Sequence, residues 1–205
     1  MTLPRFLLQR RPSAVATHVL GQGGKETLRF PLPHRGRLAL LNADFRLEPD
    51  MQAFEPDDLP ALIEYAPDAL VLPLGNALAL ADQKRRGLMD LPSLKSALIV
   101  LTSVQLPESA SIAPHHRDLL WRAFGLPVFE QLRGLDGRVA ARECEVHDGL
   151  HFTPDADSAA NDGASLLMDL PAGCDAEVVR EHCECGAETP RLKIVTAPKV
   201  RVAAA

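Results

Sequence analysis

The sequence predicts an α/β fold: a mostly parallel sheet with helices on both faces, followed by an antiparallel hairpin and a C-terminal segment rich in cysteine and histidine. Three observations carry this. Strand-like and helix-like stretches alternate from Arg37 to Gln131, the strand-like ones are apolar on both faces, and at Arg138 the pattern changes to strict alternation around Asp148-Gly149. We divide the chain at that change, with an α/β core over 1–137 and the hairpin and C-terminal segment over 138–205 packed on it as one compact unit.

In chain order, residues 1–20 are basic and mildly apolar, with Leu3, Phe6, Leu7 and Leu8 available for packing. VLGQGGKET (19–27) clusters Gly21, Gly23, Gly24 and Lys25, but not at the spacing of a Walker loop. Such glycines let backbone N–H groups approach a phosphate; a hairpin turn needs the same residues and is the favoured reading. RLALLNADF (37–45) is a buried strand. Asp58 is placed to cap a helix with Pro60 in its first turn, running through Ala61, Leu62 and Tyr65. ALVLPL (69–74) is a strand. Residues 76–86 form a helix whose Lys84, Arg85 and Arg86 suit the negative end of its dipole. SALIVLT (96–102) is a fully apolar strand, Pro114 opens a helix that Gly125 stops, and 127–131 is a strand again. Beyond the hairpin, 154–164 is loop, 166–170 a short strand, 176–181 a helical turn and 191–197 a last strand.

Composition excludes several functions. The 205 residues are 46% hydrophobic and 24% charged, with a net charge of -5 and a pI near 5.8. That balance argues against nucleic acid or an anionic membrane as a partner. No apolar run approaches the roughly 20 residues of a membrane span. Arg10-Arg11 resembles a twin-arginine signal, but the stretch PSAVATHVLGQGG after it lacks a cleavage pattern, so a cytoplasmic location is expected.

Four cysteines, at 144, 174, 183 and 185, would permit two disulfides, yet C-x-C beside histidines in a reducing compartment suits metal better. With Asp148 and Gly149 as a two-residue loop, His147 faces Leu150 and Val146 faces His151. Cys144 and Val146 then share a face with His151, and His147 points to the other. The predicted ligand set is Cys144, His151, Cys183 and Cys185, with His147 as the rival for the histidine. Gly186 permits the tight turn that presents two thiolates together. Three thiolates and one imidazole fill the tetrahedron that zinc prefers, which marks a structural site with no position left for water. Its purpose would be to pin the apolar-poor C-terminal third. Cys174 lacks a partner at metal spacing and is assigned to the core; His182 and the His115-His116 pair read as solvated.

FGLPVFEQ (124–131) followed by RVAARECEVHDGLHF (138–152) resembles the phenylacetate-CoA ligase branch of the adenylate-forming, acyl-CoA synthetase-like superfamily. YAPDALVLPLGNALALADQ (65–83), LPSLKSALIVLTS (91–103) and CECGAETPRL (183–192) extend the likeness over roughly residues 55–195. The resemblance implies an α/β nucleotide domain, a zinc at the hairpin in some relatives, and conversion of a carboxylic acid and ATP to an acyl-adenylate and then a CoA thioester. It also implies where the chain departs. The family's Y-G-x-T-E aligns with Leu132, Arg133, Gly134, Leu135 and Asp136, so a leucine replaces the threonine hydroxyl and only Arg133 and Asp136 are left as vestiges of the catalytic set. The phosphate loop survives at most as Gly21, Gly23, Gly24 and Lys25, without hydroxyls. No R-Y-x-T-G-D stretch is present, and the sequence does not extend to the domain that supplies the family's catalytic lysine. Adenylyl transfer needs hydroxyls, magnesium and a cation acting together, so an ordinary ATP- and magnesium-dependent site is not expected.

The expected protein is a degenerate relative with a structural zinc that binds a small aryl or acyl ligand or a partner protein. An exposed sheet edge would suit a homodimer. The alternative is a ligase whose site another chain completes.

Overall fold

The computed structural model describes residues 26–33, 36–153 and 164–196. Nine strands form one sheet: β1 (Leu38–Leu41), β2 (Met51–Phe54), β3 (Ala69–Pro73), β4 (Leu98–Ser103), β5 (Val128–Arg133), β6 (Val139–Glu143), β7 (Leu150–Phe152), β8 (Asp175–Val179) and β9 (Arg191–Thr196). Their order is β2-β1-β3-β4-β5-β6-β7-β9-β8. The pairings from β2 to β5 are parallel and those from β5 to β8 antiparallel, so the sheet is continuous across position 137.

The parallel half follows from strands with no polar face. Every residue of β1 and β5 is buried, as are the first four of β3 and the first five of β4. Alternate side chains of these strands feed two cores. Ala39, Leu41, Leu70, Leu72, Leu98, Val100 and Val128 face the helices α1 (Leu59–Tyr65), α2 (Leu74–Arg85) and α3 (Pro114–Phe124) through Leu62, Leu80 and Leu120. Leu38, Leu40, Val71, Ile99 and Leu101 face the other way, onto Leu28, Phe30, Ala43, Phe45 and Val139. Helices on both faces were expected; among the described residues α1, α2 and α3 share one face. Among the described residues the second face is covered by the irregular stretches around Leu28 and Phe45.

The helix boundaries follow their punctuation. Gly125 ends α3 in a left-handed conformation, φ +67°, with its N–H on the Trp121 carbonyl at 2.7 Å. Lys84 and Arg85 occupy the last turn of α2, which begins at Leu74, two residues earlier than expected. Asp58 precedes α1 but makes no side-chain cap; its carbonyl accepts from Leu62 N instead.

At the base of the parallel half, Asp68 receives the Arg37 backbone N–H at 2.8 Å and pairs with Lys95 at 2.9 Å. Gly36 sits against it at φ +58°, where an added Cβ would lie 2.4 Å from the Asp68 carboxylate. Gly36→Ala is expected to cost about 2 kcal/mol, from the left-handed backbone and the displaced carboxylate. Thermal melting at neutral pH checks it; an unchanged Tm would contradict the placement.

The C-terminal third departs from two expectations. Residues 166–170, read as a strand, belong mostly to α4 (Ala164–Asp169): Leu, Leu and Met carry good helix propensity, and no β-branched residue stiffens the run. Residues 176–181, read as a helical turn, fall largely in β8, where Val178 and Val179 pair with Leu192 and Arg191 of β9. Leu166 of α4 joins Val104, Leu132, Ala141, Leu150 and Leu192 in a third, smaller core.

Candidate metal centre

Two turns of one design meet at the end of the hairpin. The first follows β6: Cys144 takes the Val146 N–H on its sulfur, and its carbonyl accepts from His147 N at 3.1 Å, with His147 at φ +56°. The second lies between β8 and β9: Cys183 takes the Cys185 N–H on its sulfur, and its carbonyl accepts from Gly186 N at 2.9 Å, with Gly186 at φ +82°. Each turn closes on a left-handed residue, which aims the sulfurs inward. Ala187 N also donates to the Cys185 sulfur at 3.4 Å.

His151 completes the cluster from β7, with its side chain buried. Its Nδ1 lies 3.1 Å from both the carbonyl and the hydroxyl of Thr189. Nδ1 is thus the protonated nitrogen, donating to the carbonyl, and Nε2 is left bare, 3.4 Å from the Cys185 sulfur. The sulfurs of Cys144 and Cys183 are 3.8 Å apart, and all four ligand atoms lie within 4.8 Å of one another. Tetrahedral zinc with its usual bond lengths places sulfurs about 3.8 Å apart and a sulfur and nitrogen about 3.5 Å apart. The donor set fits that ion.

The electrostatics point the same way. Burial pushes the Cys144 thiol up to about 12, helped by the sulfurs of Cys183 and Cys185. Burial also pushes Cys183 up, but the Cys185 N–H, the neighbouring thiols and Arg191 carry it below its ordinary value. The two thiols split in opposite directions because one negative charge fits here and a second does not, unless a cation is present. Burial lowers the pKa of His151; the Thr189 carbonyl opposes this and the Arg191 and Arg142 charges reinforce it, so the ring stays neutral. Thr189→Val removes only the hydroxyl, a minor support, whereas displacing the loop carbonyl would cost the orientation itself. The variant is expected to weaken zinc binding by no more than about tenfold, read by competition with a chelator.

The hairpin register differs from the expected one. Arg142, not Val146, faces His151, and Glu143 faces Leu150, so the connection is the six-residue stretch 144–149 rather than Asp148-Gly149 alone. The loop is held by Asp148, which pairs with Arg191 and, at 2.6 Å, with Lys193. At Gly149, φ +91°, a Cβ would stand 3.0 Å from the Leu192 carbonyl. The structure nonetheless brings together Cys144, His151, Cys183 and Cys185 and leaves His147 out. His147 stacks on Phe129 at 4.8 Å and sets Nδ1 3.1 Å from Glu143. Cys174 lies apart and half-buried, and His182 and His115 are exposed.

Of the remaining predicted residues, Arg133 and Asp136 are described, and each has a local role. Arg133, at the end of β5, is buried with its guanidinium 4.9 Å over the Phe45 ring and Nη2 3.5 Å from the Asp44 carbonyl. Asp136 accepts the Arg138 N–H at 3.0 Å and so shapes a turn. Leu135, at the lost hydroxyl position, is exposed. Gly21, Gly23, Gly24 and Lys25 lie outside the described residues.

A buried charge network was not anticipated. Glu130 of β5 is 3% exposed and accepts from Thr102 Oγ1 at 2.9 Å and Ile112 N at 3.2 Å. Glu143 accepts the Glu130 N–H at 2.9 Å and pairs with Arg117 at 3.1 Å. The sequence signal was there: a glutamate inside the apolar strand VFEQLR. The network joins α3 to the strand that leads into the Cys144 turn.

The sequence matches no family model and no curated protein. The architecture does match. A crystal structure of an open conformation of 2-hydroxyisobutyryl-CoA ligase, in complex with 2-HIB-AMP and CoA, is similar over 77% of this chain and 44% of that one, with a TM-score of 0.52 and 17% identity. The chain shares its fold with a CoA ligase. The same ligase in its thioesterification state gives 18% identity, 77% and 42% coverage and a TM-score of 0.49. The chain spans less than half of the ligase's length. Among the described residues no helix is long and apolar enough to cross a membrane.

Proposed function

We propose that this chain is an adenylate-forming-family scaffold with a structural zinc, which binds a small acyl or aryl ligand or a protein partner and does not itself run the ligation. The observation that carries the reading is the closure of four donors from two turns and a strand to within 4.8 Å. Three thiolates and an imidazole leave zinc no open position, so the ion would supply rigidity and no Lewis-acid chemistry. Cys144, Cys183, Cys185 and His151 Nε2 would hold it, with Nδ1 fixed by Thr189. The degenerate catalytic side rests on Arg133 covered by Phe45, Asp136 used in a turn and Leu135 where a hydroxyl belongs. Among the described residues, Arg133, Leu135 and Asp136 do not form a convergent polar set for a phosphoryl group. Reduced thiols suit a cytoplasmic protein.

A second reading is favoured by one observation: the fold is shared with a ligase captured with 2-HIB-AMP and CoA, of which this chain spans 44%. In that reading another chain completes the site, and Arg133 and Asp136 line it.

Two measurements decide. Elemental analysis of the purified protein is expected to give about one zinc per chain, lost in His151→Ala and retained in His147→Ala; the reverse pattern would overturn the ligand set. Incubation with ATP, magnesium and a panel of aryl and acyl acids is expected to release no pyrophosphate, while a ligand raises the melting temperature. Acid-dependent pyrophosphate release sinks the first reading in favour of the second.

A further inference from the structure

We propose that the cluster exchanges metal for a disulfide: hydrogen peroxide joins Cys144 to Cys183, the zinc departs, and the 180–190 loop stays tied to the hairpin throughout. This rests on the zinc reading above and adds a redox response to it.

Cys144 touches the sulfurs of both Cys183 and Cys185, and Cys183 is the partner assigned because the Cys185 sulfur is engaged by His151 Nε2 and Ala187 N. Cys144 and Cys183 come from different turns, 39 residues apart in sequence, with their sulfurs already 3.8 Å from one another. Cys183 and Cys185 belong to one tight turn in which Cys185 N–H serves the Cys183 sulfur, and joining them would tear that turn. Accessibility sets the order. Cys183 is 6% exposed, whereas Cys144 is half-buried, so of this pair Cys144 is the one that meets peroxide first. Cys183 is also the one buried residue between positions 180 and 190, so its sulfur is what anchors the loop.

The chemistry balances in two steps. With zinc bound, Cys144 would be held as a thiolate; its sulfur attacks a peroxide oxygen, the O–O bond breaks, and the departing hydroxide takes a proton to become water, leaving a sulfenic acid. The Cys183 thiolate then attacks that sulfur, the S–O bond breaks, and a second hydroxide takes a proton and leaves as water. Two thiolates lose two electrons, one peroxide gains them, and two protons are consumed. Cys185 and His151 remain, and two ligands do not retain zinc. A bond between Cys144 and Cys183 joins the same two turns as the ion, with the sulfurs drawn from 3.8 Å to about 2.05 Å, so the loop keeps its anchor. Reduction by a dithiol restores the four donors.

The test uses the full chain purified under reducing conditions, with zinc measured first and peroxide then titrated in the presence of a chromogenic zinc chelator. Release of about one zinc per chain is expected, together with a fall in thiols titrated under denaturing conditions from four to two. Peptide mapping should find Cys144 joined to Cys183, and protease should leave 180–190 uncut. Cys174→Ser should release zinc in the same way. A metal-bearing chain that keeps its zinc under peroxide, that forms another disulfide, or that loses the loop to protease overturns the exchange and leaves the metal centre standing. A reduced chain without metal overturns both.

Discussion

Cys183→Ser is expected to strip the chain of zinc and to loosen its C-terminal third while the parallel half stays folded. Support is unequal between the two regions. The strands β1, β3 and β4 lie between two extensive cores, one shared with α1, α2 and α3 and the other with the stretches around Leu28 and Phe45, whereas Cys183 is the one buried residue of the 180–190 loop. A structural zinc in small peptides contributes roughly 10–16 kcal/mol, much of it spent on ordering the chain around it. In a domain with other supports a smaller loss is expected, at least about 3 kcal/mol of local stability. Hydrogen exchange separates the outcomes. Amides of β7, β8 and β9 should lose protection by two orders of magnitude or more, and those of β3 and β4 should change little. Uniform loss would mean that the cluster supports the whole sheet; zinc retained in the variant would remove Cys183 from the ligands.

The second large effect concerns Glu130. Burial first, and the nearby Glu143 charge after it, raise its carboxyl to about 7 against the Thr102 and Ile112 hydrogen bonds and the Arg117 charge. The folded state therefore holds a proton that the unfolded chain, with an ordinary carboxyl near 4.5, has released. The stability contributed by that proton is complete below about pH 4.5 and is lost as pH rises toward 7, at roughly 1.4 kcal/mol per pH unit and about 3 kcal/mol over the window. Glu130→Gln removes the titration. Denaturant unfolding of both proteins across pH 5 to 8 is expected to show the wild type losing ground to the variant as pH rises. Parallel curves would mean that Glu130 is ionised throughout and that Arg117 compensates its charge. Groups common to both proteins, the cluster thiols included, cancel in the difference.

Four of the five parallel strands were legible in the sequence; β2, whose Gln52 and Ala53 are exposed, was missed, and β1 ends at Leu41 rather than Phe45. Strands buried on both faces announce themselves as unbroken apolar runs, and Pro114 and Gly125 mark where α3 begins and ends. The distribution of helices was not legible, because an apolar strand says that both faces are covered but not by what. The C-terminal third was read less well for a different reason. The strand β8 exists because β9 lies beside it, and β9 comes more than ten residues later, so local composition at 175–179 could not decide between turn and strand. The four side chains that cluster were named through an incorrect register. Pairing Val146 with His151 placed Cys144 on the right side of the hairpin, yet Cys144 stands in a turn after β6. What survived the error was chemistry: sulfur and imidazole at positions that two similar turns can present. Glu130 and Glu143 were passed over because a charge in an apolar strand is visible in the sequence, while its partner on α3 is not.

His147 has a meaning beyond this chain. Its backbone occupies the conformation that Gly186 fills in the twin turn, and among residues with a side chain, asparagine, aspartate and histidine tolerate it best. A histidine three places after a cysteine can thus be selected for the shape of a bend, while the imidazole that lies against the sulfurs, His151, sits four residues further on. In this architecture a Cys-x-x-His spacing points to an imidazole that the bend has turned toward Phe129 and Glu143.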